Sequence, residues 1–586
     1  MRKARFYDFG PFRIDRADRI LLCKGAAVQL TPKVFDTLLA LVENSKRLVE
    51  KGDLMEAVWP DSFVAESSLT FNISILRKAL AEHDDRQYIE TVPRRGYRFV
   101  AEVTESPKEQ TSAEKEEAGQ ALTEAAPKTI AILPFRSLIP DIEYQYLGLG
   151  MADVLITRLG SIKKLLVRPT SAIVKYDNLE QDPILVGHEL GVDTVLEGTI
   201  RRLGERLRVT VQLVDVQKKS PVWAEKLDEK FTDIFAVEDS IAEKLTPALM
   251  LTLNAEEIRQ IKRRFTESAE AYHAYLKGRY YWNKQTPEGL QKSVEHFERA
   301  IATDPNYAPA YAGLADAYNL IGTWGGVAPT QVLPRAKALA QRAIEIDETI
   351  AEAHSALGGA MAMYDWDWPG SEKEFKRAIE LNPGYATAHH AYAMAYLLPL
   401  GRLDDALAEI KHAQELDPVS LFINASAGMV LNYMGKYDEA IEQLERVLEL
   451  EPNYYLSHWC LGYGYEGKGC YKEAIEAYQK ARILSGGSSS TTRSLGHLYA
   501  VLGKKEEART LLNELEEASR HNYVSPYDIA GIYAGLGEES KAIEWLKKAC
   551  REHAGALVWL KIDNTFKSFR SEPRFRELLE QINLGG

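Results

Sequence analysis

The stretch LGYGYEGKGCYKEAIEAYQKA, residues 461–481, decides how the C-terminal half of this chain is built. Its Gly462 belongs to a series of small residues at 34-residue steps: Gly428, Gly462, Gly496 and Ala530. Seven residues after each stands another glycine (Gly435, Gly469, Gly503, Gly537), and five further on an alanine (Ala440, Ala474, Ala508, Ala542). Pro305, Pro383, Pro418 and Pro452 close successive units. A fixed period of this length marks a stacked repeat. Small residues let one helix of a unit approach the other closely, and proline ends the second helix because it cannot continue the backbone ladder.

Outward from 461–481, the pattern resembles the tetratricopeptide (TPR) repeat. It extends over residues 267–586 as about eight units, the second and third enlarged by TWGGVAPTQVLP and YDWDWPG. The resemblance implies an all-α superhelix with a concave face lined by the first helix of each unit. Positions flanking the recurring glycines put Asn432, Trp459, Tyr463 and Arg493 on one helix face. That mixture of aromatic and polar groups suits an unidentified protein or peptide partner. The competing expectation is that such aromatics pack between repeats. Asp365 to Trp368 belong to an insertion and need no chemistry, and His389 and His390 lie within a repeat helix, where a solvated or packed role is expected.

Residues 128–255 alternate strand-like and helix-like runs. TIAILPF and LLVRP are short apolar strands, Gly150 to Ile162 has helical apolar spacing, and DTVLEGTIRRLGERLRVTVQLVDV holds two alternating strands around Gly204–Glu205. The amphipathic stretch Phe231 to Leu253 follows. This order predicts a small central α/β domain, and its runs resemble the TolB N-terminal type. Gly148-x-Gly150 before a helix is a weak phosphate-loop signal; a scaffold, dimerisation or small-ligand role is the expectation. Residues 104–127, rich in Glu, Ala and Lys with almost no apolar content, predict a solvated linker.

Residues 1–103 carry short strands (FGPFRIDR, ILLCKGAAVQL) and then LTPKVFDTLLALVEN. There Thr31 suits the N-cap, Pro32 the first helical position, and Val34, Leu38, Leu41 and Val42 one apolar face. A second helix is expected over Gly52 to Val58 and a third over about Ala65 to Leu80, with Leu69, Ile73, Leu76 and Leu80 facing a core. YIETVPRRGYRFVAEV reads as a β-hairpin tipped by Pro93 to Gly96. On the third helix the other side presents Ser67, Ser68, Thr70, Phe71, Asn72, Ser74, Arg77 and Lys78, short and polar or basic.

Together these segments resemble the OmpR/PhoB-type winged helix, with the ToxR/CadC-type regulators closest in pattern. The resemblance implies a recognition helix, Glu66 to Leu80, in the major groove of double-stranded DNA and a wing, Arg94 and Arg95, near the minor groove. Hydroxyls, an amide and Phe71 suit base edges; Arg77, Lys78, Arg94 and Arg95 suit phosphates. ToxR/CadC-type proteins usually carry a transmembrane helix after this domain and response regulators a receiver before it. The sequence shows neither, so regulation without membrane sensing or phosphorelay is expected. Homodimerisation on DNA is compatible with the family pattern.

The whole 586-residue chain has net charge -13, which by itself disfavours a nucleic-acid binder. Residues 1–103, however, hold 17 Lys and Arg against 15 Asp and Glu, so the acidic excess lies in the rest of the chain. Only the N-terminal segment suits DNA. Four scattered cysteines form no pair motif, which fits a reducing cytoplasm. No apolar run of 18 residues predicts a membrane span. No HExxH, GxSxG, Walker loop, Cys/His metal spacing or cyclase catalytic segment occurs, so neither enzyme activity, cofactor nor metal is expected. The expected architecture is multidomain: an α+β winged helix, a small α/β domain and an all-α TPR superhelix. Its expected function is a cytoplasmic, one-component DNA-binding transcription regulator. The competing function is a TPR scaffold whose winged helix binds protein.

Overall fold

A computed structural model describes residues 6–106 and 128–585 apart from 17–19, 24–25, 29, 31, 59–65, 82–85, 87, 93–94, 102, 139–145, 161, 163, 178, 180, 204, 231–233, 250–254, 262, 285 and 325–326. The chain forms two compact units, Met1–Glu124 and Ala125–Gly586.

In the first unit, β1 (Phe6–Phe9), β2 (Phe12–Asp15), β3 (Ile20–Cys23) and β4 (Ala26–Val28) make an antiparallel meander that precedes α1 (Pro32–Glu43). Then come β5 (Leu48–Glu50), α2 (Lys51–Val58), α3 (Glu66–Ala81), the hairpin β6 (Ile89–Val92) and β7 (Gly96–Phe99), and β8 (Thr104–Ser106), which pairs with β1. The expected apolar faces are the ones buried: Leu38, Leu41, Leu69, Ile73, Leu76 and Leu80 are each at most 2% exposed. The short strand β5, absent from the sequence reading, joins the hairpin in the order β5-β7-β6. Gly96 makes this possible, because a Cβ there would lie 2.0 Å from the Val49 carbonyl oxygen.

The second unit begins with β9 (Lys128–Ile132), β10 (Arg136–Ser137), α4 (Tyr146–Gly160), β11 (Leu165–Val167), α5 (Thr170–Ile173) and α6 (Pro183–Leu190). It continues through β12 (Thr194–Leu203), β13 (Arg206–Asp215), β14 (Ser220–Lys230), α7 (Ile234–Ala248) and α8 (Ala255–Ile261). The sheet order is β11-β9-β12-β13-β14, parallel where helices cross over and antiparallel through the long hairpins. The helix read as starting at Gly150 begins at Tyr146, so the two glycines of the GxG lie inside α4 and serve packing. A Cβ on Gly148 would stand 2.1 Å from the Phe135 carbonyl oxygen, and Gly150 lies against Leu276.

Sixteen helices then follow as eight antiparallel pairs among the described residues. They are α9 (Ala269–Trp282) with α10 (Pro287–Thr303), α11 (Ala308–Trp324) with α12 (Pro329–Ile346), α13 (Ala351–Ala360) with α14 (Trp368–Leu381), and α15 (Ala386–Tyr392) with α16 (Leu403–Leu416). The later pairs are α17 (Leu421–Tyr433) with α18 (Tyr437–Leu450), α19 (Tyr455–Gly467) with α20 (Tyr471–Leu484), α21 (Ser489–Val501) with α22 (Lys505–Ala518), and α23 (Pro526–Gly535) with α24 (Glu539–Arg551). A final helix, α25 (Pro573–Gln581), closes the chain. The recurring small residues do what their spacing implied. A Cβ on Gly462 would meet the Tyr478 ring at 2.4 Å and one on Gly428 would meet Leu444 at 2.6 Å, while Ala440, Ala474, Ala508 and Ala542 are fully buried. Gly435, Gly469, Gly503 and Gly537 turn the chain with φ of 75–78°, a left-handed conformation that costs glycine little.

The α/β layer and the array share one core. A single buried cluster runs from Ile130 of β9 to Ala336 of α12 and includes Tyr272, Tyr275 and Leu276 of α9. Polar contacts reinforce it: the Arg168 guanidinium donates to the carbonyls of Glu415 and Leu416 at the end of α16, and the Ser171 hydroxyl donates to Asp417.

Candidate functional site

Helix α3 is fixed against α1 on its apolar side, and Asn72 belongs to that side. It is 6% exposed, and its amide donates to the Lys33 carbonyl (3.1 Å) and to the Thr37 hydroxyl (3.0 Å). The expectation that Asn72 meets a base is therefore corrected: it lies three residues after Leu69 and four before Leu76, within the buried stripe. Its amide bridges two helices where a purely apolar contact would leave the Thr37 hydroxyl without a donor.

Arg77 is exposed, but its guanidinium donates to the Ile89 carbonyl (3.0 and 3.3 Å) and to the Thr91 hydroxyl (2.7 Å). It ties α3 to strand β6, so the hairpin's position follows the helix. This is a positioning role, where the sequence alone suggests a phosphate contact for Arg77. Arg95 stands exposed at the hairpin turn, 3.5 Å from Glu50. Ser67, Ser68, Thr70, Phe71, Ser74 and Lys78 fall on α3, with side chains outside the described residues, and Arg94 lies outside them altogether.

The four residues assigned to a partner groove each hydrogen-bond to other parts of the chain itself. The Asn432 amide donates to the Cys460 carbonyl (2.8 Å), and the Trp459 indole donates to the Ser494 hydroxyl (2.8 Å). Arg493 donates to Asp563 (2.8 Å) and lies over the Tyr527 ring, while the Tyr463 hydroxyl donates to Asp563 at 3.4 Å. Asn432 and Arg493 are 2% and 7% exposed. The occupant of this face is the chain's own C-terminal segment, which supplies Asp563. Burial opposes ionisation there, but the Arg493 guanidinium, the Tyr527 hydroxyl and the Thr565 amide outweigh it and hold the Asp563 carboxyl down at about 2. The expectation of an open groove at these residues is corrected accordingly.

The same segment reaches back to the third helix pair. The Trp368 indole donates to the Ile582 carbonyl, the Asn583 amide donates to the Trp366 carbonyl, and the His553 ring stacks on Trp366 at 4.6 Å. The insertion YDWDWPG is thus a dock for residues 553–583. His389 and His390 are packing residues: His389 bonds Glu409 and the Pro383 carbonyl, and burial lowers His390 to about 4. Among the described residues no group of three or more His, Cys, Asp or Glu is arranged to hold a metal, and no helix is long and apolar enough to cross a membrane.

Three family models match the chain. Residues 25–99 match "Transcriptional regulatory protein, C terminal", residues 126–244 match "HilA/YgeH-like transcriptional regulator, second domain", and residues 428–469 match "TPR repeat". The second match names a different family from the TolB type expected for that segment. Among curated proteins, the chain is 27% identical to the transcriptional regulator HilA of Salmonella typhi over 436 residues, 70% of each chain. It is 31% identical to putative adenylate cyclase 3 of Rhizobium meliloti (strain 1021) over 239 residues, 40% of each chain, so that match spans less than half of the relative. Its similarity to the transcriptional activator CadC of Escherichia coli (strain K12) is 35% over 81 residues, 14% of this chain and 16% of that one. The N-terminal domain is of the OmpR/PhoB type, followed by an α/β region and a TPR array.

Proposed function

We propose that this chain is a DNA-binding transcription regulator that reads double-stranded DNA with α3 and steadies itself with the β6–β7 hairpin. The observation that carries the reading is the construction of this pair. Four buried residues on one side of α3 anchor it and Arg77 fixes the hairpin to it; in this reading Ser67, Ser68, Thr70, Phe71, Ser74 and Lys78 of the same helix meet the DNA. The similarity to the transcriptional regulator HilA runs over 70% of this chain, which supports a regulator in preference to an enzyme. A partner of the array meets it away from the face that residues 553–583 fill; Leu450 and Ile483, 64% and 75% exposed at the ends of α18 and α20, mark one such surface. A cytoplasmic location belongs to the same reading, since a regulator of this kind meets DNA there.

The test is a salt-titrated binding assay of the full chain on genomic fragments, comparing the parent with Arg94→Ala plus Arg95→Ala. The double variant is expected to bind every fragment more weakly, and its log K against log salt should flatten by about 2, one per lost phosphate contact. Equal affinity and equal slope would reject the wing assignment, and no duplex binding by the parent at low salt would reject the regulator.

A further inference from the structure

Between α4 and α5 on one side and α9, α11, α13 and α15 on the other lies a cavity of about 1620 Å³, part of it open to solvent. Its charged wall groups are unequally matched. Arg279 of α9 is spent on Asp153 of α4 through two bonds, 2.7 and 3.0 Å, and Asp153 also accepts from Thr170. Lys175 pairs with Glu189. Asp316 of α11 and Glu352 of α13 differ: no side-chain donor among the described residues bonds either carboxylate. Both are surrounded by protein yet keep accessible surface, which places them on the cavity wall and not in close packing. Burial, opposed by Arg279 and reinforced by Glu352, pushes the Asp316 carboxyl up to about 6, and burial raises Glu352 as well.

The remaining wall includes Trp282, Tyr385, Phe422 and Tyr454. The Trp282 indole nitrogen is itself buried without an acceptor. The counter-charge that both carboxylates feel, Arg279, already gives its hydrogen bonds to Asp153, and buried carboxylates so thinly compensated are costly, so the wall is incomplete as it stands. An anionic occupant would meet two repelling carboxylates, since Arg279 is already neutralised. A neutral one would leave both charges stranded. A cation with an apolar body satisfies the carboxylates and the aromatic faces together.

We propose that this cavity binds a small organic amine, its ammonium held between Asp316 and Glu352 and its body against the aromatic wall. Because Asp153, Thr170 and Ser171 come from the α/β layer and Asp316, Glu352 and Phe422 from the array, the occupant spans the seam between them and is placed to act as an effector. This inference stands apart from the DNA-binding reading, and its test uses no DNA.

Thermal-shift and calorimetric titrations of the full chain would use tryptamine and phenethylamine, with tryptophol and indole-3-acetate as uncharged and anionic counterparts. Both amines are expected to raise the unfolding midpoint and neither counterpart to do so. The double variant Asp316→Asn, Glu352→Gln is expected to unfold at a higher temperature than the parent when unliganded, because its stranded charges are gone, and to bind the amines at least tenfold more weakly. Phe422→Ala, at a 38% exposed rim position that tolerates truncation, should weaken amine binding about three- to tenfold with the fold unchanged. No response to either amine at millimolar concentration, an equal response to tryptophol, or full amine binding by both variants would overturn the proposal.

Discussion

Two aspartates in the second unit, Asp316 and Asp563, are both enclosed by protein and end at opposite extremes. Asp563 sits in the late half of the array with a guanidinium, two hydroxyls and a backbone amide directed at it, and its carboxyl falls to about 2. Asp316 sits in the early half, on a cavity wall with a second carboxylate for a neighbour, and rises to about 6. Burial pushes both the same way. What separates them is whether the surrounding chain closes the set of partners, and the array does so with its own tail at one end while leaving it open at the other. A completed set is architecture; an incomplete one is an invitation to a ligand.

The strongest way to break this comparison is Asp563→Asn. It leaves Arg493 buried with only Asp528, 3.5 Å away, as a carboxylate partner, and removing one member of a buried ion pair costs about 3–5 kcal/mol. Hydrogen exchange across α23 to α25 should accelerate by the corresponding factor, roughly two to four orders of magnitude; exchange at the parent rate would show that the tail is held by its apolar contacts alone.

Asp316→Asn should act in the other direction. Its carboxyl at about 6 stands above the roughly 3.9 of an unfolded chain. The folded protein therefore keeps a proton that the unfolded chain has released, and stability drains away as pH rises from about 4 through 6. The variant should be more stable than the parent by about 2–3 kcal/mol at pH 7 and equal to it near pH 4, read by urea unfolding. Asp563 has the reverse sign, its contribution being present above about 4 and lost as pH falls toward 2.

The smallest effect belongs to an ion pair in water. Arg95 and Glu50 are 64% and 60% exposed, so Glu50→Gln should change stability by less than about 0.5 kcal/mol. A larger loss would mean that the turn near Gly96 depends on that pair and not on the close backbone approach.

The legible parts of this molecule were those written within one helix or one period. The apolar stripe of α3, the 34-residue small-residue series and the left-handed turn glycines each follow from local spacing. Asn72 departs from expectation although its signal is local too: its offsets from Leu69 and Leu76 are those of a core position, while its polar character points to the other face. Arg493 was illegible for another reason. Its partner Asp563 lies 70 residues away, beyond any period, so nothing on α21 announces that its face is filled. The cavity was hidden in the same way, since Asp153, Arg279, Asp316 and Glu352 come from four different helices.

The core common to the α/β layer and the array bears on how the molecule can be dissected. A cut between residues 255 and 267, natural to anyone drawing domains from repeats, would strip the cover from Tyr272, Tyr275 and Leu276 of α9, all at most 9% exposed in the intact chain. Repeats prepared that way and used as bait would display a bare aromatic shelf, and proteins captured on it would report the damage done by the scissors instead of a physiological companion.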